Sequence, residues 1–228
     1  MRNIAAFVFV IFTFAFGACA QHKPNTAAPT KPSVVPAKTA ADKGTVDGRT
    51  YTNPTLGFTV TFPDTWLIPG DDFEDEMRKQ GFDLGLKAPA NLSPAAKAAV
   101  NRSLRNVTIL MTAYRSMPGT KDNAIARISV EDLSSQPQIK DAVDYCDAVR
   151  ATYRAMRLPA DFKYSETQAE KLGAKQFAFL DTASSAGKKR MYVTVRKDRA
   201  ILFTLSYSEA ADLETMRQVL AGGDFSLK

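Results

Sequence analysis

The first apolar stretch of the chain is short and lies at its N-terminus. Residues 4–16 are apolar apart from Thr13 and follow the positively charged start Met1-Arg2-Asn3. A helix that crosses a bilayer needs about 20 consecutive apolar residues. The run is shorter than that, and a charged start followed by such a run is typical of a secretory signal peptide. We therefore predict a signal peptide over 1–18.

The end of this signal allows two interpretations. Ala18-Cys19-Ala20 fits ordinary cleavage before Gln21, which would remove Cys19 with the signal. Phe16-Gly17-Ala18-Cys19 also resembles a bacterial lipobox, in which the cysteine is lipidated and becomes the new N-terminus, although leucine is usual where Phe16 stands. We predict lipid attachment at Cys19, with Phe16, Gly17 and Ala18 as the recognition residues, and keep a secreted protein as the alternative.

The next segment differs in composition from everything that follows it. Residues 19–48 are rich in Pro, Ala, Thr and Lys and contain no aromatic residue. Such a composition buries too little apolar surface to fold, and prolines keep a chain extended. We predict a disordered tether over 19–48 and a folded domain over 49–228.

Within the domain, alternation of apolar and polar residues predicts strands. The stretch 49–66 predicts two strands with a turn at Asn53-Pro54 and Gly57, and 106–116 and 123–133 predict two more. In the C-terminal third, the predicted strands are 170–183, 188–197 and 200–208. The short turns between them imply antiparallel pairing.

Helical spacing appears between the strands. Residues 137–157 place six apolar side chains on one stripe, which makes Cys146 a buried apolar residue: Ile139, Val143, Cys146, Val149, Tyr153 and Met156. Two further helices are predicted, over 93–105 with Ser93 as N-cap and after Ser208 up to Gly222-Gly223. This order predicts an α+β fold, an antiparallel sheet covered on both faces by helices.

Composition then limits the catalytic sites, metal sites and partners that the domain can have. The only histidine, His22, precedes the domain, which therefore lacks a Ser-His-Asp or Cys-His catalytic arrangement and histidine zinc ligands. The formal net charge is +6, but much of the excess of positive over negative side chains lies before residue 44. It favours weak attraction to an anionic membrane and does not predict a nucleic-acid partner. A Cys19–Cys146 disulfide is the rival to a lipidated Cys19.

The stretch "YTNPTLGFTVTFPDTW" resembles the opening hairpin of PsbP-like domains. The matching residues are Tyr51, Gly57, Phe58, Phe62, Pro63 and Trp66, and Gly173, "RAILFTLSYS" and "GGDFSLK" resemble the family's C-terminal part. The resemblance implies an α/β/α sandwich around an antiparallel sheet. It also implies a mostly non-enzymatic family of binding or scaffolding proteins, with bacterial lipoproteins such as the LpqN type among them. It supplies no catalytic residue and no cofactor.

Three other groups invite a functional interpretation. The acidic residues Asp71, Asp72, Glu74, Asp75 and Glu76 could gather a cation, but an acidic first helical turn explains them, so no metal site is predicted. Lys188-Lys189-Arg190 is interpreted as a solvated cluster that protects a sheet edge. Trp66 is interpreted as a core residue instead of the wall of a ligand groove.

We therefore expect a lipid-anchored, non-enzymatic binding or scaffolding module of the bacterial cell envelope. Its expected partners are the membrane, through the lipid on Cys19, and an envelope protein. In a Gram-negative host, Ala20 after Cys19 would favour the outer membrane facing the periplasm. The alternative is a carrier or sensor that holds a hydrophobic small molecule between sheet and helices. An enzyme that uses carboxylates or lysine is the weakest hypothesis.

Overall fold

A computed structural model describes residues 42–226 apart from 71, 83, 85–93, 95, 96, 99, 100, 102, 103, 105, 121, 157 and 186. The strands in this part of the chain are β1 Thr45–Asp47, β2 Thr50–Asn53, β3 Phe58–Thr61, β4 Val107–Tyr114, β5 Ile125–Asp132, β6 Lys163–Tyr164, β7 Gln168–Leu172, β8 Lys175–Ser184, β9 Gly187–Arg196 and β10 Arg199–Tyr207. The helices discussed below are α1 Phe73–Lys79, α2 Ala142–Ala155 and α3 Ala210–Ala221.

Two antiparallel sheets organise the fold. The larger sheet has the order β4-β5-β10-β9-β8, and both β6 and β7 pair with the outer side of β8. The smaller sheet has the order β1-β2-β3, and the C-terminal segment is bonded to β3 through Thr59 and Asp224. The predicted α+β class is confirmed, because these antiparallel strands carry helices on both faces of the larger sheet.

One face of the larger sheet, here called the hairpin face, is covered by the smaller sheet and α3. Phenyl rings from β3, β8, β10 and the C-terminal segment meet there, with the centroids of the contacting rings 5.2–5.9 Å apart: Phe58, Phe177, Phe203 and Phe225. Aromatic pairs at this separation stabilise a core beyond the apolar area that they bury. These rings join the hairpin and the chain end to the larger sheet.

The opposite face, here called the α2 face, is covered by α2 along β8 and β9. The Asp141 side chain caps the helix by accepting from the backbone N–H groups of Val143 and Asp144. The Tyr145 hydroxyl donates to the buried Glu131 carboxylate, 2.6 Å away, and burial raises the pKa of Tyr145 well above its usual range. At the β4 end of this face, Phe73 of α1 packs on Tyr114.

The predicted stripe of α2 is confirmed in part. Cys146 is fully buried with a free thiol, and Val149 and Tyr153 lie in the same core cluster. Val143 is 43% exposed, so its prediction as a core residue was wrong. The helix begins at Ala142 and not at 137, because Asp141 is the N-cap; Ile139 is buried ahead of the helix.

Two boundaries in the C-terminal third also differ from the prediction. The stretch 170–183 is not one strand, because Gly173 turns the chain and separates β7 from β8. The N-cap of α3 is Glu209 instead of Ser208. Of the residues predicted as a helix over 93–105, the described ones are helical: Pro94, Lys97, Ala98, Asn101 and Leu104. Ser93, its predicted N-cap, lies outside the described residues.

The folded part also begins before residue 49. β1 lies inside the predicted tether and pairs with β2. The carbonyl oxygens of Asp42 and Lys43 accept hydrogen bonds from Asn53 and Tyr51, at 2.9 and 2.7 Å. These contacts hold the chain against β2 from residue 42 onward, so the boundary at 48/49 was placed too late.

Gly173 and Gly48 give a matched test of the close packing between β7 and α3. Both have a left-handed backbone, with φ of +58° and +56°, but a Cβ on Gly173 would lie 2.2 Å from the Ala221 carbonyl oxygen, whereas one on Gly48 meets nothing within 4 Å. We expect Gly48→Ala to lower the free energy of unfolding by about 1–2 kcal/mol. We expect Gly173→Ala to cost about 1–3 kcal/mol more, since the helix end must shift. Urea denaturation of both variants measures the difference, and equal losses would contradict the close approach.

Candidate functional site

The residues predicted for lipid attachment cannot be placed in the fold. Phe16, Gly17, Ala18 and Cys19 lie outside the described residues, as do 19–41 of the predicted tether. None of the described helices is both long and apolar enough to cross a membrane. The anchor therefore remains a prediction from the sequence.

The acidic stretch near residue 72 forms the start of α1. Glu74, Asp75 and Glu76 lie in its first turn, where the positive end of the helix dipole favours carboxylates. Among the residues that the structure describes, no three or more His, Cys, Asp or Glu side chains lie together as metal ligands would. Asp71 lies outside them.

Two other candidate residues belong to the core. Trp66 is 5% exposed and packs on the Phe62 ring, with centroids 5.8 Å apart. It is a core residue, as interpreted from the sequence. Burial raises the pKa of the Cys146 thiol to about 12, which leaves the thiol protonated near neutral pH. Since the thiolate is the nucleophile of cysteine chemistry, Cys146 serves packing.

The basic run Lys188-Lys189-Arg190 does not protect a sheet edge. It lies at the start of β9, which is paired on both sides, to β8 and β10. Successive side chains of a strand point to opposite faces. Arg190 therefore joins Tyr192 on the hairpin face, and Lys189 joins Met191 on the α2 face. Each of these two cations belongs to a different polar cluster.

The cluster on the hairpin face is here called the arginine–carboxylate network and consists of Glu170, Asp181, Arg190, Tyr192 and Arg217. Arg190 donates from Nε and Nη2 to the two carboxylate oxygens of Asp181, at 2.7 and 2.6 Å. Asp181 and Arg190 are direct partners in the β8–β9 register. The guanidinium also lies over the Phe179 ring, 4.2 Å from its centroid. An arginine that binds a carboxylate through two donors and also stacks on an aromatic ring fixes the geometry of the ion pair.

The network continues from β9 to the edge strand and α3. The Tyr192 hydroxyl accepts from Arg190 and donates to Glu170 Oε2, at 3.2 and 2.9 Å. Glu170 Oε1 accepts from Nε and Nη2 of Arg217, which lies on α3. Burial raises the pKa of Tyr192 to about 12 despite the nearby Arg190. Both carboxylates have cationic partners, so the network ties β7, β8, β9 and α3 together.

The cluster on the α2 face is here called the basic floor and consists of Thr112, Tyr114, Arg127 and Lys189. Thr112 and Arg127 are direct partners in the β4–β5 register, and Arg127 Nη2 donates to the Leu84 carbonyl oxygen at 2.6 Å. Burial and the charge of Arg127 lower the pKa of Lys189 to about 7. Burial raises the pKa of Tyr114, whereas Arg127 acts to lower it. Two cationic side chains thus act on each other across β10.

Sequence reasoning missed both clusters because each needs the register of non-adjacent strands. One signal was available: a short turn after Ser184 places Asp181 opposite Arg190, and opposite charges at facing positions indicate a cross-strand pair. The Glu170–Arg217 contact joins residues 47 positions apart. Neither spacing nor composition indicates it.

Comparison with known proteins assigns no family to this chain. No protein-family model matches this chain, and no curated protein matches it. Similar solved structures include the cyanobacterial PsbP (CyanoP) of Synechocystis sp. PCC 6803, with 12% identity, a TM-score of 0.42 and coverage of 80% of this chain and 98% of that one. A crystal structure from Bacteroides thetaiotaomicron VPI-5482 has 12% identity, a TM-score of 0.39 and 79% coverage of this chain.

This chain spans about half, 49%, of the Bacteroides protein. Similarity of this degree assigns no function.

The arginine–carboxylate network predicts unequal effects of two Glu→Gln substitutions. The Glu170 side chain is 19% exposed and bonds both Tyr192 and Arg217, whereas the Glu166 side chain is 83% exposed and bonds Arg150. We expect Glu170→Gln to lower the free energy of unfolding by about 1–3 kcal/mol. Glu166→Gln should change it by about 0.5 kcal/mol or less. Chemical denaturation compares the two, and a similar small change in both would show that the network adds no more than a surface pair.

Proposed function

We propose that this protein is a lipid-anchored, non-enzymatic binding or scaffolding module of the bacterial cell envelope. The observation that carries the proposal is the place of Cys19. It is one of only two cysteines, it ends a short apolar segment after a charged start, and it follows Gly17-Ala18. The other cysteine, Cys146, is buried in the core with a free thiol.

The chemistry of the described residues supports a binding role over catalysis. The domain lacks histidine. The carboxylates of the arginine–carboxylate network are paired with arginines. Both features favour a binding role for the domain.

A small apolar patch supports a protein partner. Leu67, Phe82 and Met117 are 39%, 37% and 50% exposed. They lie near the β4–β5 connection: Leu67 exchanges backbone hydrogen bonds with Tyr114 at the end of β4, and the Phe82 ring lies against Gly119, two residues after Met117. Clustered exposed apolar side chains are typical of interaction surfaces.

The alternative, a carrier of a hydrophobic molecule, needs apolar space between sheet and helices. In the described part of the chain, the four contacting phenyl rings occupy the layer between the larger sheet and the hairpin. Under α2, Tyr145, Cys146, Val149 and Tyr153 pack on Leu180, Met191 and Val193. This packing favours binding at the surface over an internal ligand.

The anchor predicts the mass of the mature protein. Protein extracted from the membranes of its own host should begin at Cys19 and carry added acyl mass, measured by intact-mass spectrometry. Cys19→Ser should move the protein to the soluble fraction. A mature protein that begins at Gln21 without lipid would overturn the anchor and leave a secreted protein.

The apolar patch predicts where a partner is crosslinked. A photoreactive phenylalanine analogue at Met117 should give a discrete crosslinked species in host membranes. The matched control is Val143, which is also apolar and 43% exposed but lies on α2 at the opposite end of β5. Identical crosslinking at both positions, or at neither, would contradict a partner surface at the patch.

A further inference from the structure

The basic floor contains buried hydrogen-bond donors that have no acceptor among the described residues. Thr112 Oγ1, the Tyr114 hydroxyl and Arg127 Nε are all buried, and none makes a hydrogen bond of acceptable geometry within the described residues. The Arg127 guanidinium lies close enough to the Tyr114 oxygen to interact with it, which leaves the hydroxyl proton of Tyr114 without an acceptor among the described residues. Thr112 is 9% exposed and Tyr114 is fully buried. Buried polar groups in proteins nearly always have a partner, so three unsatisfied ones in one place need an explanation.

These three groups lie together on the α2 face. Ala126 and Ile128 of β5 point into the hairpin core, so Arg127 between them points to the opposite face. Thr112 faces Arg127 directly across β4 and β5, and Tyr114 faces Ile125, two residues from Arg127. Facing side chains in an antiparallel pair have Cβ atoms about 4.5–5.5 Å apart. The three side chains are therefore neighbours on one face of the sheet.

The charge of the floor is positive. Arg127 forms no ion pair within the part of the chain that the structure describes; the partner of its Nη2 is the neutral carbonyl of Leu84. Lys189 lies on the same face and interacts electrostatically with Arg127. Glu74 of α1 is the carboxylate that acts on the Tyr114 hydroxyl. A guanidinium without a described carboxylate, next to an amine that a bound anion would hold in its protonated form, favours a negatively charged ligand.

We propose that the basic floor binds the anionic oxygen group, carboxylate or phosphate, of a small ligand. The ligand oxygens accept from the Thr112 and Tyr114 hydroxyls and from Arg127 Nε, and the negative charge of the ligand favours the protonated form of Lys189. Such an oxygen group matches the donor geometry of a guanidinium and satisfies the two orphaned hydroxyls in one step. The arginine–carboxylate network on the other face differs in this respect, because its own carboxylates already satisfy its arginines.

The test measures binding of inorganic phosphate and of acetate to the full chain by calorimetry, at ionic strength held constant with sodium chloride. We expect saturable binding of at least one anion. Thr112→Val and Tyr114→Phe each remove one donor at nearly constant shape and should weaken that binding about tenfold, the effect of losing one hydrogen bond to a charged group. Arg127→Lys keeps the charge but loses Nε and should weaken it at least as much.

Matched controls separate the site from general salt effects. Thr215→Val alters a hydroxyl that donates to Ala211 on the surface of α3, and Arg199→Lys alters an arginine on the hairpin face that is paired with Asp198 between β9 and β10. Both should leave the dissociation constant unchanged within about twofold, because neither residue lies on the α2 face of the sheet. In chloride alone, Thr112→Val should unfold at the same temperature as the wild type or higher, since it removes an unsatisfied buried hydroxyl.

Each result decides between the alternatives. Variant-sensitive binding of phosphate or of acetate supports the site and identifies which oxygen group it takes. Absence of saturable binding to both anions overturns the proposal, and so does binding that Thr112→Val and Tyr114→Phe leave unchanged. A lower unfolding temperature for Thr112→Val with unaltered anion binding would make the hydroxyl structural. These outcomes do not depend on the lipid at Cys19, so they test the site separately from the proposed anchor.

Discussion

The antiparallel register of β8, β9 and β10 holds both layers of this domain in place. On each of these strands, alternate side chains point into the hairpin core and into the α2 core, as Phe203 and Leu202 do on β10. A shift of one residue would exchange the two faces. It would place the Arg190 guanidinium under α2 and remove Asp181 from its side. The bidentate Arg190–Asp181 pair is therefore compatible with a single register and opposes slippage of the hairpin.

The sequence predicts the parts of this fold that depend on local patterns. Alternation around Phe58 and Val60, the apolar stripe through Cys146 and Val149, and turns between the C-terminal strands were enough for the α+β class. The predicted ends of strands were wrong where tertiary contacts determine them. Gly173 ends β7 because the end of α3 approaches the turn, and β1 exists because Asp42 and Lys43 are bonded to the next strand.

The two polar clusters show why a candidate site is harder to predict than a fold. Lys189 and Arg190 are neighbours in sequence, and as a run of charge they indicate a solvated surface. Because β9 is a central strand of the larger sheet, their side chains point to two covered faces, and this follows only from the strand order. The residues that complete the two clusters come from distant parts of the chain. They are Glu170 and Arg217 in the arginine–carboxylate network and Arg127 in the basic floor. On the hairpin face the charges are balanced and bind elements together, while on the α2 face buried donors lack acceptors among the residues that the structure describes.

The attachment of β1 has a mechanical consequence. A pull on the chain ahead of residue 42 loads the hydrogen bonds of Asp42 and Lys43 and then β1, which is the first strand in its path, pairs with β2 over only three residues and is exposed along its length. In an antiparallel hairpin loaded from one end, the backbone hydrogen bonds break one after another instead of together. The pairs that join β2 to β3, and β3 to Asp224, come later in the path of the force. β1 would therefore yield first under tension and lengthen the chain outside the domain, while the packed rings around Phe203 stay intact.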